Sequence, residues 1–191
     1  SAIFLVEYAG KGNKFIEVIR LTTETLSGIP SIVYGLFGML FFVNTLKWGF
    51  SVLAGAFTLS IMILPLIMRQ TEEALKAVPD SYREGSFGLG AGKLRTVFRI
   101  VLPSAVPGIL AGVILAIGRI VGETAALIYT AGTVAQVPKN VLGRTLAIHM
   151  YMLSSEGLYM NQAYATAVIL LVLVVAINTL SGVVAKKLTK A

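Results

Sequence analysis

Two stretches of this chain, residues 104–131 and 163–184, stay almost wholly apolar for the ~20 residues that a helix needs to cross a bilayer. Such runs leave few folds open. In hydrocarbon every backbone N–H and C=O must pair within its own segment, so a spanning piece is a helix or a closed barrel strand. Two shorter apolar runs, residues 27–43 and 52–68, read as further spans. The charge content agrees: 13% of the 191 residues are charged, where soluble domains carry ~25%. Mean hydropathy is +0.83. The expected fold class is an all-α membrane protein, a polytopic helical bundle with about four complete spans.

The polar segments fall between these spans. Residues 2–6 form a short apolar stub that runs into Glu7 and the loop Gly10-Lys11-Gly12. The stub lacks the basic start of a signal peptide. It reads as the tail of an earlier span, which makes the sequence an N-terminally truncated piece of a longer membrane protein. Residues 13–26 alternate Phe15, Val18, Ile19 and Leu26 with Lys14, Glu17, Arg20 and Glu24, the pattern of an amphipathic helix at a membrane entry. The 27–43 run is short and must borrow residues from that helix, and Pro30 predicts a kink there. Residues 132–161 form a mixed connection holding Pro138, Lys139, Arg144, His149 and Glu156. Trp48, Tyr151 and Tyr159 are placed to anchor at the membrane interface.

Orientation follows from the basic residues. With the central polar segment inside, Lys11, Lys14, Arg20, Arg69, Lys76, Arg83, Lys93, Arg95, Arg99, Lys186, Lys187 and Lys190 lie inside, twelve in all. Lys47, Lys139 and Arg144 lie outside, and Arg119 sits within a span. Twelve against three is the asymmetry expected of cytoplasmic loops. It accounts for the net charge of +7 as topology and argues against nucleic acid as a partner. The absence of cysteine excludes disulfides and thiolate chemistry, and the single histidine cannot build a histidine metal cluster. No cofactor or metal is expected.

The central polar segment, residues 69–103, is the longest charge-dense stretch. Pro79 ends one helix, and Asp80 is placed to cap the next. Residues 81–89 suit a short helix ended by Gly88 and Gly90, and residues 93–101 a third helix returning to the membrane at Pro103. The alternative is a plain solvated connector, which needs neither caps nor glycine breaks.

The spacing of Glu84, Gly90 six residues on, Ile100, Leu102 and Pro103 resembles the coupling loop of ABC-importer permeases. Gly85 and Ser86 stand where that family has two alanines, and both are small. The stretches 25–38 (TLSGIPSIVYGLFG), 73–85 (EALKAVPDSYREG) and 118–132 (GRIVGETAALIYTAG) narrow the resemblance to the permease subunits of bacterial phosphate importers. The resemblance spans the whole chain, and family members are longer at the N-terminus by about two spans. It implies the type I ABC importer permease (MetI-like) fold, a bacterial inner-membrane location, and a cytoplasmic coupling loop and C-terminus. It also implies the partners: a separate cytoplasmic ATPase gripping Glu84, Gly85, Ser86, Gly90, Ile100, Leu102 and Pro103, a second permease subunit forming a heterodimer, and an extracytoplasmic phosphate-binding protein.

Arg119 and Glu123 stand four apart in the third apolar run. Charges in a membrane cost ~2.5–3.5 kcal/mol each, so they normally pair or line a polar path. On one continuous helix they would share a face with Gly108, Gly112, Ala116, Ala126 and Thr130. One reading makes that face a substrate path, with Arg119 offering its guanidinium fork to an oxyanion, Glu123 holding Arg119, and Thr124 and Thr130 adding hydroxyls. Ser27, Ser31 and Tyr34 could extend the path. The other reading is a structural ion pair with a small-residue packing seam. His149 is expected to be interfacial.

The sequence holds no phosphate-binding Gly-x-x-x-x-Gly-Lys-Ser/Thr loop, so ATP hydrolysis would fall to another subunit. A transporter subunit without its own chemistry is the leading expectation. The alternatives are a permease for sulfate or molybdate, the partner permease of the same importer, a sensor that binds without transporting, and a membrane enzyme using Glu123 as a base. The last lacks a second carboxylate, a metal cluster or a nucleophile–base pair nearby.

Overall fold

A computed structural model describes residues 2–8, 14–133 and 145–189. Among these residues the chain is helical, with no strand. A wide (π) turn at Phe4–Tyr8 precedes α1 (Lys14–Ser27), α2 (Ser31–Gly38), α3 (Val52–Lys76), α4 (Asp80–Gly88), α5 (Lys93–Thr96), α6 (Leu102–Val121), α7 (Ala125–Ile128), α8 (Leu146–Glu156) and α9 (Met160–Thr189). Two more wide turns, Met39–Thr45 and Val97–Val101, continue α2 and join α5 to α6.

Among the described residues, three helical stretches are long and apolar enough to cross a membrane: Val52–Lys76, Lys93–Val121 and Met160–Leu180. The bent pair Lys14–Ser27 and Ser31–Thr45 makes a fourth if it is counted as one span. The expected first span is therefore not one helix. Pro30 fixes its own φ at −59° and starts α2 afresh. The second span runs eight residues past its expected end at Met68, carrying Arg69, Glu72, Glu73 and Lys76 as one charged helical end. The expected third span shifts most. Its helix starts at Lys93 and stops at Val121, ten residues before the expected Ala131. Gly122 follows, and the chain turns before α7.

Pro103 does not interrupt this long helix. A proline lacks the N–H that would bond four residues back, and its ring crowds that carbonyl. The wide turn at Val97–Val101 lies just before it, with the Leu102 N–H reaching five residues back to the Val97 carbonyl.

The residues fall into two compact units. The first comprises Ser1–Ser27, Pro65–Ala116 and Leu180–Ala191. Its core joins Leu75, Val78, Val101 and Ala105, with Ile3, Val6, Ala74, Leu102 and Ile109 packed against them. Here α6 meets the charged end of α3 through glycine. A Cβ placed on Gly108 would lie 2.8 Å from the Ala74 Cβ, and one on Gly112 2.5 Å from the Gln70 Cβ. Small residues that let helices approach are the usual membrane seam.

The second unit comprises Gly28–Leu64 and Ile117–Thr179. Its main core joins Tyr34, Leu59, Met62, Ala126, Leu127, Ala131 and Ile148. An aromatic group closes one end: Trp48 stacks on Phe42 at 5.3 Å between centroids and meets Phe57 edge-on at 5.4 Å. The expected 132–161 connection contains α8, capped by Thr145, whose hydroxyl accepts from the Ile148 N–H at 3.3 Å. Ala147, Ile148 and Leu153 of α8 are buried, and His149 is half-buried. Along α9, Val168, Ile169, Leu171, Val172 and Val175 are exposed, as lipid-facing residues would be. Tyr151 and Tyr159 are also exposed. Lys11, Pro138, Lys139, Arg144 and Lys190, used in the sequence reading, lie outside the described residues.

Candidate functional site

In the first unit the site is built from α4, α5 and the turn between them. The expected helix over 81–89 is α4, displaced by one residue. Asp80 does not cap it: the capping position is Pro79, and no side chain bonds the free N–H groups there. Asp80 instead accepts from Arg83 Nη1 at 3.1 Å. Glu84 and Gly85 are exposed on α4. Ser86 points inward, 5% exposed, and its hydroxyl meets the Thr96 hydroxyl of α5 at 2.8 Å. The turn between the two helices needs Gly90, whose φ of +80° belongs to the left-handed region that a Cβ disfavours. Ile100 and Leu102 are half-buried and Pro103 is exposed.

Around this turn the surface is apolar and open. Leu89 is 92% exposed, with Tyr82, Phe87, Leu94 and Phe98 also exposed. A groove of about 600 Å³ runs between the helices, lined by Tyr82, Ser86, Leu89, Arg95, Arg99 and Ile100 among others. An apolar patch with a cationic border on a short turn between two helices suits a protein partner.

Arg83 is the best-connected side chain here, and the sequence reading gave it only a place in the charge count. Its Nη2 donates to Glu7 Oε1 at 2.7 Å and to the Leu75 carbonyl at 3.0 Å. Its Nη1 donates to the Val78 carbonyl at 2.7 Å. The bond to Glu7 pushes the Arg83 pKa above its ordinary value, against the opposing pull of burial. A second charged group ties α1 to α3: Glu72 accepts from Lys76 and pairs with Arg20 at 3.4 Å.

In the second unit the expected Arg119–Glu123 pair is not made. Because α6 ends at Val121, the two residues do not share a helical face. Arg119 is exposed and takes part in none of the ion pairs among the described residues. It lies within electrostatic reach of the buried Tyr34 hydroxyl. Glu123 turns to the backbone: its Oε1 accepts from the Ala126 N–H at 3.2 Å, satisfying a free donor at the start of α7. The half-buried Thr124 donates to the Gly122 carbonyl at 3.4 Å.

Thr130 is fully buried, and its hydroxyl donates to the Ala126 carbonyl at 2.9 Å. It packs with Thr58 around Gly38, where no side chain fits. Ser31 is half-buried at the start of α2. Ser27, in the first unit, donates to the Glu24 carbonyl of its own helix at 2.7 Å. Gly108 and Gly112 line the α3 seam described above. Among the described residues no group of three or more His, Asp and Glu side chains is placed to hold a metal ion.

Residues 2–190 match the family described as binding-protein-dependent transport system inner membrane component. The chain is 38% identical over 209 aligned residues to the probable ABC transporter permease protein YqgI of Bacillus subtilis, covering 98% of this chain and 71% of that protein. It is 36% identical to the phosphate transport system permease protein PstA of Mycobacterium leprae, covering 93% of this chain and 60% of that one. For PstA of Yersinia pestis the identity is 35%, covering 98% and 64%. The chain thus spans 60–71% of the length of these three relatives.

In fold it is similar to chains of the inward facing MetNI methionine ABC transporter in two crystal forms. The TM-scores are 0.74 and 0.80, each at 20% identity and 98% coverage of this chain, with 88% and 84% of the other chain covered. The fold is that of a type I ABC importer permease. On the extent of these matches, the chain belongs to the binding-protein-dependent transport system inner membrane component family.

Proposed function

We propose that the chain is the membrane subunit of an ABC importer that carries inorganic phosphate into a bacterial cell. The observation that carries this reading is the set of relatives named phosphate transport system permease PstA, aligned over 93–98% of the chain. The site's geometry supports it. A short amphipathic helix, held from behind and exposed in front, is what a cytoplasmic ATPase needs as a handle. On this reading the ATPase docks on α4 around Glu84 and Gly85. Ser86 and Gly90 shape the turn, and Ile100, Leu102 and Pro103 carry the push into α6. Residues 69–103 and the C-terminus then face the cytoplasm, in line with the basic asymmetry of the loops. A second permease subunit completes the membrane pathway, and a phosphate-binding protein delivers substrate from outside.

Arg119 is the phosphate contact in this proposal. An exposed guanidinium with no carboxylate partner among the described residues, on a helix long and apolar enough to cross a membrane, has a free fork for an oxyanion. Glu123 and Thr124 set the start of α7 beside it, and Ser31 adds a hydroxyl. Thr130 bonds back to the Ala126 carbonyl of α7, Ser27 bonds its own helix, and both belong to packing.

The test is uptake of labelled phosphate into vesicles carrying the full-length permease, its partner permease, the ATPase and the binding protein. Arg119→Gln is expected to cut uptake by about ten- to hundredfold, the worth of a charge-assisted hydrogen bond, with the complex still assembled. Excess sulfate or molybdate should leave wild-type uptake intact. Uptake that sulfate competes for, and that Arg119→Gln leaves unchanged, would overturn both substrate and site.

A further inference from the structure

The Arg83 guanidinium has five N–H donors, and the described structure uses all of them. Nε faces Glu7 Oε1 and Oε2 at 3.2 and 3.4 Å. Nη1 serves the Val78 carbonyl at 2.7 Å and Asp80 at 3.1 Å, and Nη2 serves Glu7 at 2.7 Å and the Leu75 carbonyl at 3.0 Å. Leu75 and Val78 lie at and just past the end of α3, where the last carbonyls lack regular helical partners; the Leu75 carbonyl otherwise accepts only from the Val78 N–H, at 3.4 Å. Arg83 therefore caps α3 from the neighbouring helix α4. The same side chain reaches Glu7, whose side chain is 7% exposed, in the turn Phe4–Tyr8.

Other contacts brace the same assembly. Lys93 at the start of α5 sits over the Tyr8 ring, 5.1 Å from its centroid. The Ser86–Thr96 hydroxyl pair holds α4 to α5. Leu75, fully buried, and Val78 sit in the core of this unit beside Val101 and Ala105. Arg83 is thus the polar joint where α4, the end of α3 and the 4–8 turn meet.

We infer that Arg83 is a positioning residue for energy coupling: it makes a displacement of α4 a displacement of the α3 end and the 4–8 turn. The inference rests on the reading that an ATPase docks on α4. A guanidinium suits the task because its planar fork bonds a carboxylate and two carbonyls at fixed angles. A lysine keeps the charge but offers three donors from one point, and so cannot hold three elements in register.

The experiment measures phosphate moved per ATP hydrolysed by the full transporter in sealed proteoliposomes. Arg83→Lys is expected to lower that ratio by about tenfold, within the range of coupling between distinct sites. Glu7→Gln removes one arm's charge, leaves the carbonyl contacts, and is expected to lower the ratio less, in the same direction. It serves as the readout if Arg83→Lys fails to assemble. A role in fold stability alone would lower uptake and hydrolysis together and leave the ratio at the wild-type value. That result in both variants overturns the inference. The docking reading has its own control, Tyr82→Cys on the exposed face of α4 in an otherwise wild-type transporter. Failure to cross-link it to the ATPase would sink docking, whatever the ratio shows.

Discussion

Gly35 of α2 lies against the backbone of α7, where a Cβ placed on it would stand 2.8 Å from the Ala126 Cα and 3.0 Å from the Ala126 carbonyl oxygen. Both neighbours are main chain, so no side-chain rotation can make room. Gly35→Leu should therefore destabilise the protein by about 1–3 kcal/mol or more through overpacking. A lower melting temperature in detergent checks it. Gly182→Ala, with nothing within 4 Å of the new Cβ, is the control and should be neutral or slightly stabilising. Equal melting temperatures for the two variants would mean that α2 and α7 do not meet so closely.

Gly85 of α4 and Gly90 of the turn after it should respond in opposite ways. Gly85 lies inside α4 with open space around it, so Gly85→Ala should add up to ~1 kcal/mol of helix stability. Gly90 has equally open space but a φ of +80°. Gly90→Ala should cost ~1 kcal/mol, because its strain is in the backbone and not in crowding. Thermal unfolding of the pair separates these effects, and a shift of the same sign in both would contradict the turn geometry.

Glu123 offers a test of cap against charge. As an acceptor for the Ala126 N–H, it can be replaced by glutamine with little loss, while Glu123→Ala should cost ~1 kcal/mol. Uptake close to wild type in Glu123→Gln with a lower melting temperature in Glu123→Ala is the expected pattern. Loss of uptake in Glu123→Gln at unchanged stability would assign the work to the charge itself.

Arg83 makes a prediction about pH. Its folded pKa is raised above the ordinary arginine value, chiefly by the bond to Glu7. A raised folded pKa means that the stabilisation is fully present below the unfolded value and is lost only as pH rises through the folded one. Both lie far above neutrality, so the arginine stays charged from about pH 6 to pH 9. The difference in melting temperature between wild type and Arg83→Gln should be flat across that range. A difference that falls steadily toward pH 9 would show that another titrating group controls the joint.

The helices of this chain were legible because the bilayer forces one pattern on sequence: apolar runs of fixed length, with basic residues clustered in some loops. The Glu84-to-Pro103 spacing was legible for a similar reason, since the turn needs glycine at one point and two short helices around it. The helix ends were harder to read. Residues 124–131 are as apolar as those before them, so the sequence predicts a span running on to Ala131. Hydrophobicity carries no sign that Gly122 breaks the helix and that Glu123 serves α7. Reading Arg119 and Glu123 as i, i+4 partners followed from that one misplaced end. The role of Arg83 was hidden for another reason. Its partners outside α4 are two carbonyls, which every residue has, and a carboxylate 76 positions away in sequence.

The wide turn at Val97–Val101 holds one residue more than a regular helical turn would. That residue acts as phase, since each step along an α-helix rotates the chain by about 100°. If a single deletion in this turn tightened it to ordinary α-helix, α5 and the Gly90 turn ahead of it would swing through about that angle about the axis of α6. Insertions and deletions are usually tolerated in loops and not in helices. Here the sensitive spot is inside a continuous helix, and the direction in which α4 and α5 face is set by one spare amino acid.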